Sequence, residues 1–171
     1  MIDIIAKKIA IAIKRANPNE TASIEVLQYA LVILIGSFVT IFISLSIGVA
    51  TDKFKETALV LFSFALLRFF SGGYHFSTSM QCSMTTIIFS ILLPHIPISN
   101  TVSMILLYVS IIVTAVYAPS GIERQSRIPK KYYPALKIIS ILIVSSNLII
   151  GSPLITKAFF LQALTLILGR R

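Results

Sequence analysis

The sequence predicts an all-α integral membrane protein, with about six transmembrane helices preceded by an amphipathic helix at the membrane interface. Of its 171 residues, 56% are hydrophobic and only 12% are charged, whereas charged residues make up about a quarter of a soluble domain. So few charges cannot cover a soluble surface. The apolar stretches are continuous instead of alternating with a period of two, and a spanning helix needs about 20 such residues. Together these observations predict helices that cross a membrane.

The N-terminal segment, residues 1–17, is predicted to lie on the membrane as an amphipathic helix. Its apolar side chains recur at helical spacing, and basic side chains occupy much of the remaining surface. The apolar set is Ile2, Ile5, Ile9 and Ile13, and the basic set is Lys7, Lys8, Lys14 and Arg15. Asn17-Pro18-Asn19 ends the helix as a turn.

Six apolar stretches follow within residues 25–168 and are predicted to form one bundle. They cover approximately residues 25–50, 54–70, 84–96, 101–118, 135–150 and 154–168. Several are shorter than an ideal span, so local membrane thinning or snorkelling of basic side chains is expected. No internal repeat or second domain is visible, and residues 1–171 are interpreted as a single transmembrane domain.

The distribution of basic residues predicts the orientation of this bundle. With six spans and a cytoplasmic N-terminus, all basic residues except Lys53, Lys55 and Lys157 lie inside, which is 12 of the 15. The positive-inside rule prefers this arrangement. It predicts that both termini and the loop between the second and third spans are cytoplasmic.

The net charge of +9 bears on the expected partners. The basic residues fall in juxtamembrane loops, which suits anionic lipid or an acidic peptide better than DNA. The sequence also lacks the interleaved aromatic and basic residues typical of single-strand binding. Membrane lipid is therefore an expected partner and nucleic acid is not.

One segment carries the candidate chemistry. It runs from Arg68 through Gly72-Gly73-Tyr74-His75 to Cys82, at the end of an apolar span. Cys82 is the only cysteine of the chain and follows one of its two histidines by seven residues. A thiol and an imidazole are the minimum set for a cysteine nucleophile with its general base.

Cys82 is the candidate nucleophile. If the third span begins near Gln81, the thiol lies in the first helical turn, where the dipole and free backbone N–H groups favour a thiolate and could form an oxyanion hole. A buried apolar cysteine and a palmitoylation site are the alternatives. A disulfide within the chain is excluded, since there is no second cysteine.

His75 is the candidate base. Seven residues of straight helix rise by about 10 Å, too far for an imidazole–thiol hydrogen bond. Gly72-Gly73 and the polar residues that follow indicate instead a turn, or a broken or re-entrant segment, that could bring the two groups together. Irregular backbone at membrane depth survives only inside protein or beside water, where a site would lie.

No metal or other cofactor is expected. His75, Cys82 and His95 are the suitable soft or borderline ligands, and His95 is predicted near the opposite membrane face, with no carboxylate close by. The alternative for His75 is an interfacial histidine bonded to a loop carbonyl.

Several other residues are candidates for shaping the site. Arg68 either snorkels to the membrane edge or clamps a substrate carboxylate. Gln81 or Ser79 could orient the imidazole. Lys130 and Lys131 are topology determinants, with attraction of an acidic substrate as a secondary role.

The pattern of these residues resembles the accessory gene regulator B (AgrB) family of membrane endopeptidases. The signature is an arginine, a Gly-Gly-Tyr-His sequence and a cysteine seven residues after the histidine. It is matched by Arg68, Gly72, Gly73, Tyr74, His75 and Cys82. A second family feature is matched by Tyr117-Ala118-Pro119 and the basic Pro129-Lys130-Lys131. The similarity in length, amphipathic start and span count covers the whole chain.

The resemblance implies a function in quorum sensing at the bacterial cell membrane. Members of the family are homodimers that cut a small propeptide, AgrD, at the C-terminal side of the future ring, after which a cysteine or serine of the peptide closes a thiolactone or lactone. By this resemblance Cys82 is the nucleophile and His75 the base. Phe69, Phe70 and Phe76 are suited to keep water from the intermediate.

A different class of function remains the alternative. A small six-helix transporter or non-catalytic partner subunit could use Arg68 and His75 to bind a solute. Inverted repeats and intramembrane acids would favour transport. Neither is visible in the sequence, because all six acidic residues lie at or beyond the ends of the spans.

Overall fold

Seven α-helices make up most of the computed structural model, which describes residues 2–74, 76, 78–122 and 129–169. They are α1 (Ile2–Ala16), α2 (Ile24–Ala50), α3 (Phe54–Ser71), α4 (Ser79–Leu92), α5 (Asn100–Tyr117), α6 (Tyr133–Ile150) and α7 (Pro153–Gly169). Short 3₁₀ helices, Leu93–His95 and Lys130–Tyr132, extend α4 and precede α6. The predicted all-α class, with an N-terminal amphipathic helix before the bundle, is confirmed.

Within the described residues, three segments are long and apolar enough to cross a membrane by themselves. They are Ile24–Ala50, Asn100–Tyr117 and Lys130–Ile150. The 14 residues of α4 rise only about 21 Å, less than the roughly 30 Å of a hydrocarbon core. The membrane class is therefore confirmed, while the count of six spans stays a prediction.

The predicted break between the second and third apolar stretches is confirmed, but the next helix begins earlier than the hydropathy indicates. α3 ends at Ser71, and α4 begins at Ser79 although the sequence becomes apolar only near residue 84. The cause is a cap: the Thr78 hydroxyl accepts a hydrogen bond from the backbone N–H of Gln81 at 3.3 Å. A threonine cap stabilises a helical start that hydropathy does not detect.

α7 is the central helix of the bundle. It packs against α3 and α5, and its buried side chains include Ile155 and Phe159. These two join Leu67 of α3, Leu107 of α5 and Val144 of α6 in one apolar core. A substitution on α7 therefore acts on several helices at once.

Small residues bring α2, α3 and α4 close together. A Cβ atom on Gly48 would lie 3.0 Å from the hydroxyl oxygen of Thr57 on α3. The buried Ser90 of α4 donates a hydrogen bond to Ser44 of α2 at 3.0 Å. Small and hydroxyl residues are the usual means of close helix packing in membranes, where lipid provides little hydrophobic drive between helices.

A polar cluster joins α5, α6 and α7 at the end of the bundle that holds the α6–α7 turn. The buried Asn147 donates to the hydroxyl oxygen of Thr156 at 2.8 Å and to the carbonyl of Ser152 at 3.0 Å. Its own oxygen accepts from the N–H of Ser152 at 3.1 Å, and Ser103 donates to Thr156 at 3.1 Å. The amide thus fixes the α6–α7 turn against α5.

The amphipathic helix α1 packs against α2. Ala6 and Ala10 are fully buried in this contact, whereas Ile4, Ile5 and Ile9 are exposed. The small side chains allow close approach to α2 and leave the apolar isoleucines to face outward. This exposure agrees with a helix whose outer surface meets lipid.

Candidate active site

The segment after α3 turns sharply because two consecutive glycines adopt positive φ angles. Gly72 has φ 69° and Gly73 has φ 134°, a region that other residues rarely occupy. A Cβ on Gly72 would overlap the carbonyl oxygen of Ser120, and one on Gly73 would lie 2.5 Å from the hydroxyl oxygen of Thr165. Both positions therefore require glycine for conformation and for space.

This turn is held between the end of α5 and α7. The N–H of Gly73 donates to the carbonyl of Ser120 at 2.7 Å, and the N–H of Ser120 donates to the carbonyl of Ser71 at 3.0 Å. The N–H of Tyr74 donates to the carbonyl of Thr165 at 2.8 Å. The two sequence signatures, Gly72-Gly73-Tyr74 and Tyr117-Ala118-Pro119, therefore meet at one end of the bundle.

Cys82 lies in the first turns of α4, as predicted. Its backbone N–H donates to the carbonyl of Thr78 at 3.3 Å, so this N–H is engaged within the helix and is not a free oxyanion donor. The carbonyl of Cys82 accepts from the Thr86 hydroxyl at 2.9 Å. The thiol is partly buried.

A pocket of about 300 Å³ lies between α3, α4 and α7. Its wall is largely apolar, with few polar or charged groups. It is lined by Val60, Leu61, Phe64, Arg68, Tyr74, Phe76, Cys82, Thr85, Thr86, Phe89, Ser90, Leu161, Leu164, Thr165 and Leu168. The structure thus brings Arg68 and Cys82 into one cavity, together with the two residues that flank position 75 in the sequence.

Aromatic rings form part of this wall, although not all the rings that the sequence suggested. Phe64, Phe76 and Phe89 line the pocket, and the rings of Tyr74 and Phe76 contact edge to face with centroids 5.3 Å apart. Phe69 instead is 78% exposed on the outside of α3. Helical rotation directs Phe69 away from the pocket, because it follows Arg68 directly.

Arg68 points into the protein. One guanidinium nitrogen donates to the carbonyl of Tyr74 at 2.6 Å, and the other donates to the side-chain oxygen of Gln162 at 3.4 Å. The guanidinium lies 5.7 Å from the centroid of the Phe64 ring, and Arg68 lines the same pocket as Cys82. Of the two predicted alternatives, this geometry favours a side chain that serves the pocket over one that snorkels.

Gln162 is the residue that the sequence analysis missed. It is fully buried in α7, and its amide nitrogen donates to the carbonyl of Gly72 at 2.6 Å and to the Ser71 hydroxyl at 3.1 Å. It therefore connects α7 with the glycine turn and with Arg68. The sequence signal that could have identified it is a single amide in an otherwise apolar stretch. A polar side chain in a membrane helix is costly unless it is hydrogen-bonded, so it indicates a partner inside the protein.

The remaining predicted residues lie elsewhere. His75 falls outside the described residues, so its pairing with Cys82 stays a prediction. Gln81 has an exposed side chain, and Lys130 and Lys131 lie on the exposed 3₁₀ helix before α6; none of the three lines the pocket. His95 ends the helical segment that continues α4, at the opposite end from Cys82, as predicted.

Comparison with known proteins identifies the family. The family model for accessory gene regulator B matches residues 6–169. Accessory gene regulator protein B of Staphylococcus aureus (strain bovine RF122 / ET3-1) is 27% identical over 157 residues, covering 90% of this chain and 82% of that protein. The protein of the same name from Staphylococcus intermedius is 30% identical over 139 residues, or 77% of this chain and 73% of that protein.

A further relative matches this chain over a shorter region. An AgrB-like protein of Halalkalibacterium halodurans is 26% identical over 110 residues, and the chain spans just over half, 56%, of its length. No solved structure gives a significant match. The match of the family model to nearly all of this sequence shows that the chain belongs to the accessory gene regulator B family.

Proposed function

We propose that this protein is a membrane-embedded cysteine endopeptidase that cleaves an AgrD-like propeptide and promotes its cyclisation to an autoinducing peptide. Membership of the family supports a role in the accessory gene regulator quorum-sensing system. One observation carries the finer proposal. Cys82 and both sequence neighbours of His75, Tyr74 and Phe76, line the same pocket, and this supports the proposed pairing of His75 with Cys82.

In the first step the Cys82 sulfur attacks the scissile carbonyl of the propeptide. His75 accepts the thiol proton and then donates it to the departing amine. The C–N bond breaks, a C–S bond forms, and the C-terminal fragment leaves with a new amino terminus. Arg68 contributes a positive charge to the pocket that Cys82 lines, which favours negative charge that develops during the attack.

In the second step a thiol of the peptide replaces Cys82. This exchange breaks one thioester and forms another, so it requires no external energy source and closes a thiolactone ring. A serine hydroxyl would close a lactone in the same way. Cys82 regains its proton, and the cyclic product leaves.

The wall of the pocket suits such an intermediate. Phe64, Phe76 and Phe89 cover the cavity around Cys82, and an apolar enclosure lowers the access of water to a thioester. Exchange then competes well with hydrolysis. The leucines that α7 contributes to the same wall serve the same end.

The orientation and the partners follow from the charge pattern and the family. We expect the pocket mouth and both termini on the cytoplasmic side, because the basic residues concentrate there. Membrane lipid and an AgrD-like propeptide are the proposed partners, and the active form is proposed to be a homodimer. Lys130 and Lys131, both exposed, are proposed to attract an acidic peptide tail.

The direct test uses purified protein in liposomes and a synthetic AgrD-like propeptide. Wild-type protein should release the C-terminal fragment, and Cys82→Ala and His75→Ala should each lower cleavage at least about a hundredfold. Gln28→Met, a change on α2 away from the pocket, is the control and should cleave normally. Cleavage at the normal rate by a folded Cys82→Ala protein would refute the proposal.

A further inference from the structure

We propose that Gln162 is a positioning residue that holds the guanidinium of Arg68 inside the pocket that Cys82 also lines, without neutralising its charge. The catalytic role of this positioning rests on the proposed function. The placement of the charge itself can be measured without a peptide.

The first argument is the set of bonds that Gln162 makes. Its side-chain oxygen accepts from Arg68 at 3.4 Å and lies 3.1 Å from the Thr165 hydroxyl, which shares its one proton with the backbone carbonyl of Gln162 at 2.7 Å. Its side-chain nitrogen donates to the carbonyl of Gly72 and to the hydroxyl of Ser71. Because the side chain is fully buried, losing these partners would leave costly unpaired groups.

The second argument is that these partners determine the orientation of the amide. The carbonyl of Gly72 can only accept a hydrogen bond, and the guanidinium of Arg68 can only donate one. A flipped amide would set oxygen against oxygen at Gly72 and nitrogen against nitrogen at Arg68. The amide therefore presents its oxygen to Arg68 in the one arrangement that satisfies both.

The third argument concerns where Arg68 would otherwise go. It lies in the last turn of α3, from which a long basic side chain can extend to the membrane edge. The side-chain oxygen of Gln162 and the carbonyl of Tyr74 are hydrogen-bond acceptors inside the protein, and they compete with water for the guanidinium of Arg68. Since an amide is neutral, this contact leaves the full positive charge beside Cys82, whereas a carboxylate in its place would cancel it.

The test uses Cys82 as a reporter, since it is the only cysteine. The rate of its reaction with an anionic sulfonatoethyl methanethiosulfonate is divided by the rate with neutral methyl methanethiosulfonate, in detergent micelles. Each rate is first normalised to that of a free thiol. We expect a ratio of about five for the wild type, the size produced by one nearby charge in a partly aqueous pocket.

Gln162→Met should lower this ratio to about one; any fall in the thiolate fraction of Cys82 slows both reagents alike and cancels in the ratio. Gln162→Asn keeps an amide but is one methylene too short to reach Arg68, so it should lower the ratio equally. This second variant keeps the proposal testable if Gln162→Met folds poorly. Two variants are matched controls. Gln28→Met makes the same exchange on α2, and Asn147→Leu removes a buried amide at the other end of the bundle. Both should keep the wild-type ratio.

A double-mutant cycle separates positioning from a direct effect. Arg68→Met should abolish the preference, and adding Gln162→Met should change nothing further, because the amide acts only through Arg68. Additive losses, a wild-type ratio near one, or a Gln162→Met or Gln162→Asn protein with the wild-type ratio would each overturn the inference. If the preference behaves as expected but no propeptide is cleaved, the proposed function fails and the positioning of Arg68 stands.

Discussion

The backbone N–H of Gly73 donates to the carbonyl of Ser120 at 2.7 Å, and this bond joins the two sequence signatures of the chain. The glycine turn precedes His75 by two residues in the sequence, while Ser120 follows the Tyr117-Ala118-Pro119 segment at the end of α5. The Ser120 hydroxyl also donates to the carbonyl of Leu166 on α7 at 3.1 Å. Helices α3, α5 and α7 are therefore tied together at the end of the bundle that holds the glycine turn.

Alanine at Gly72 should damage both stability and cleavage. The new Cβ would overlap the carbonyl of Ser120 in a backbone conformation that alanine disfavours, so we expect a loss of about 3 kcal/mol in the free energy of unfolding. Thermal unfolding in detergent and the propeptide assay measure the two effects.

Gly151→Ala is the matched control for this change. Gly151 also has a positive φ, 67°, but a Cβ there meets nothing within 4 Å. The expected loss is only about 1 kcal/mol, with cleavage unchanged. Equal effects at the two glycines would contradict the role assigned to the contact with Ser120.

Asn147→Leu should destabilise the bundle without affecting the pocket. The change removes three hydrogen bonds within the α6–α7 cluster and leaves the N–H of Ser152 without its amide partner. We expect a loss of about 1–2 kcal/mol, measured by unfolding in detergent. Cleavage at a permissive temperature should remain normal, and a specific loss of cleavage in a fully folded variant would show that the cluster reaches the site.

The orientation can be checked by labelling intact cells. In a Cys82→Ser background, a cysteine at the exposed Lys55 should react with an impermeant maleimide, because this position is predicted to lie outside. A cysteine at the exposed Lys131 should react only after the membrane is permeabilised. The reverse pattern would invert the topology and put the pocket on the wrong side for a newly made propeptide.

The thioester should be exchanged rather than hydrolysed. A propeptide whose ring cysteine is replaced by alanine should still be cut, leaving an adduct on Cys82 that hydroxylamine removes, because no internal thiol can resolve it. Mass spectrometry detects the adduct.

Removal of the released C-terminal fragment gives a second test of the same step. Cleavage is reversible when an amide is replaced by a less stable thioester, so removal of the fragment should raise the yield of cyclic product. If the alanine peptide instead gives linear acid at the normal rate with no adduct, the enzyme is a plain protease and does not promote cyclisation.

Much of the fold was predictable because its causes act locally along the chain. Hydropathy over about 20 residues predicts a membrane helix wherever that helix packs, so the helices and the break at Gly72-Gly73 were expected close to where they lie. The apolar stretch begins only near residue 84, but the expected helix start near Gln81 lies two residues from the observed start at Ser79. The cap at Thr78 begins the helix, and hydropathy does not detect caps. The position of Cys82 near that start was nevertheless predicted.

The sequence by itself determined the membrane class, the glycine break and the choice of Cys82 and His75 as the candidate catalytic pair, since each depends on residue type and spacing alone. The chemistry of that pair stays a prediction. Only the tertiary structure decided which side chains share the pocket. The direction of Arg68, the outward position of Phe69 and the contact of Gln162 with the glycine turn depend on how α3 and α7 are rotated against each other. That rotation is set by packing in the core around Leu67 and Phe159, between segments far apart in the chain, and no local pattern records it.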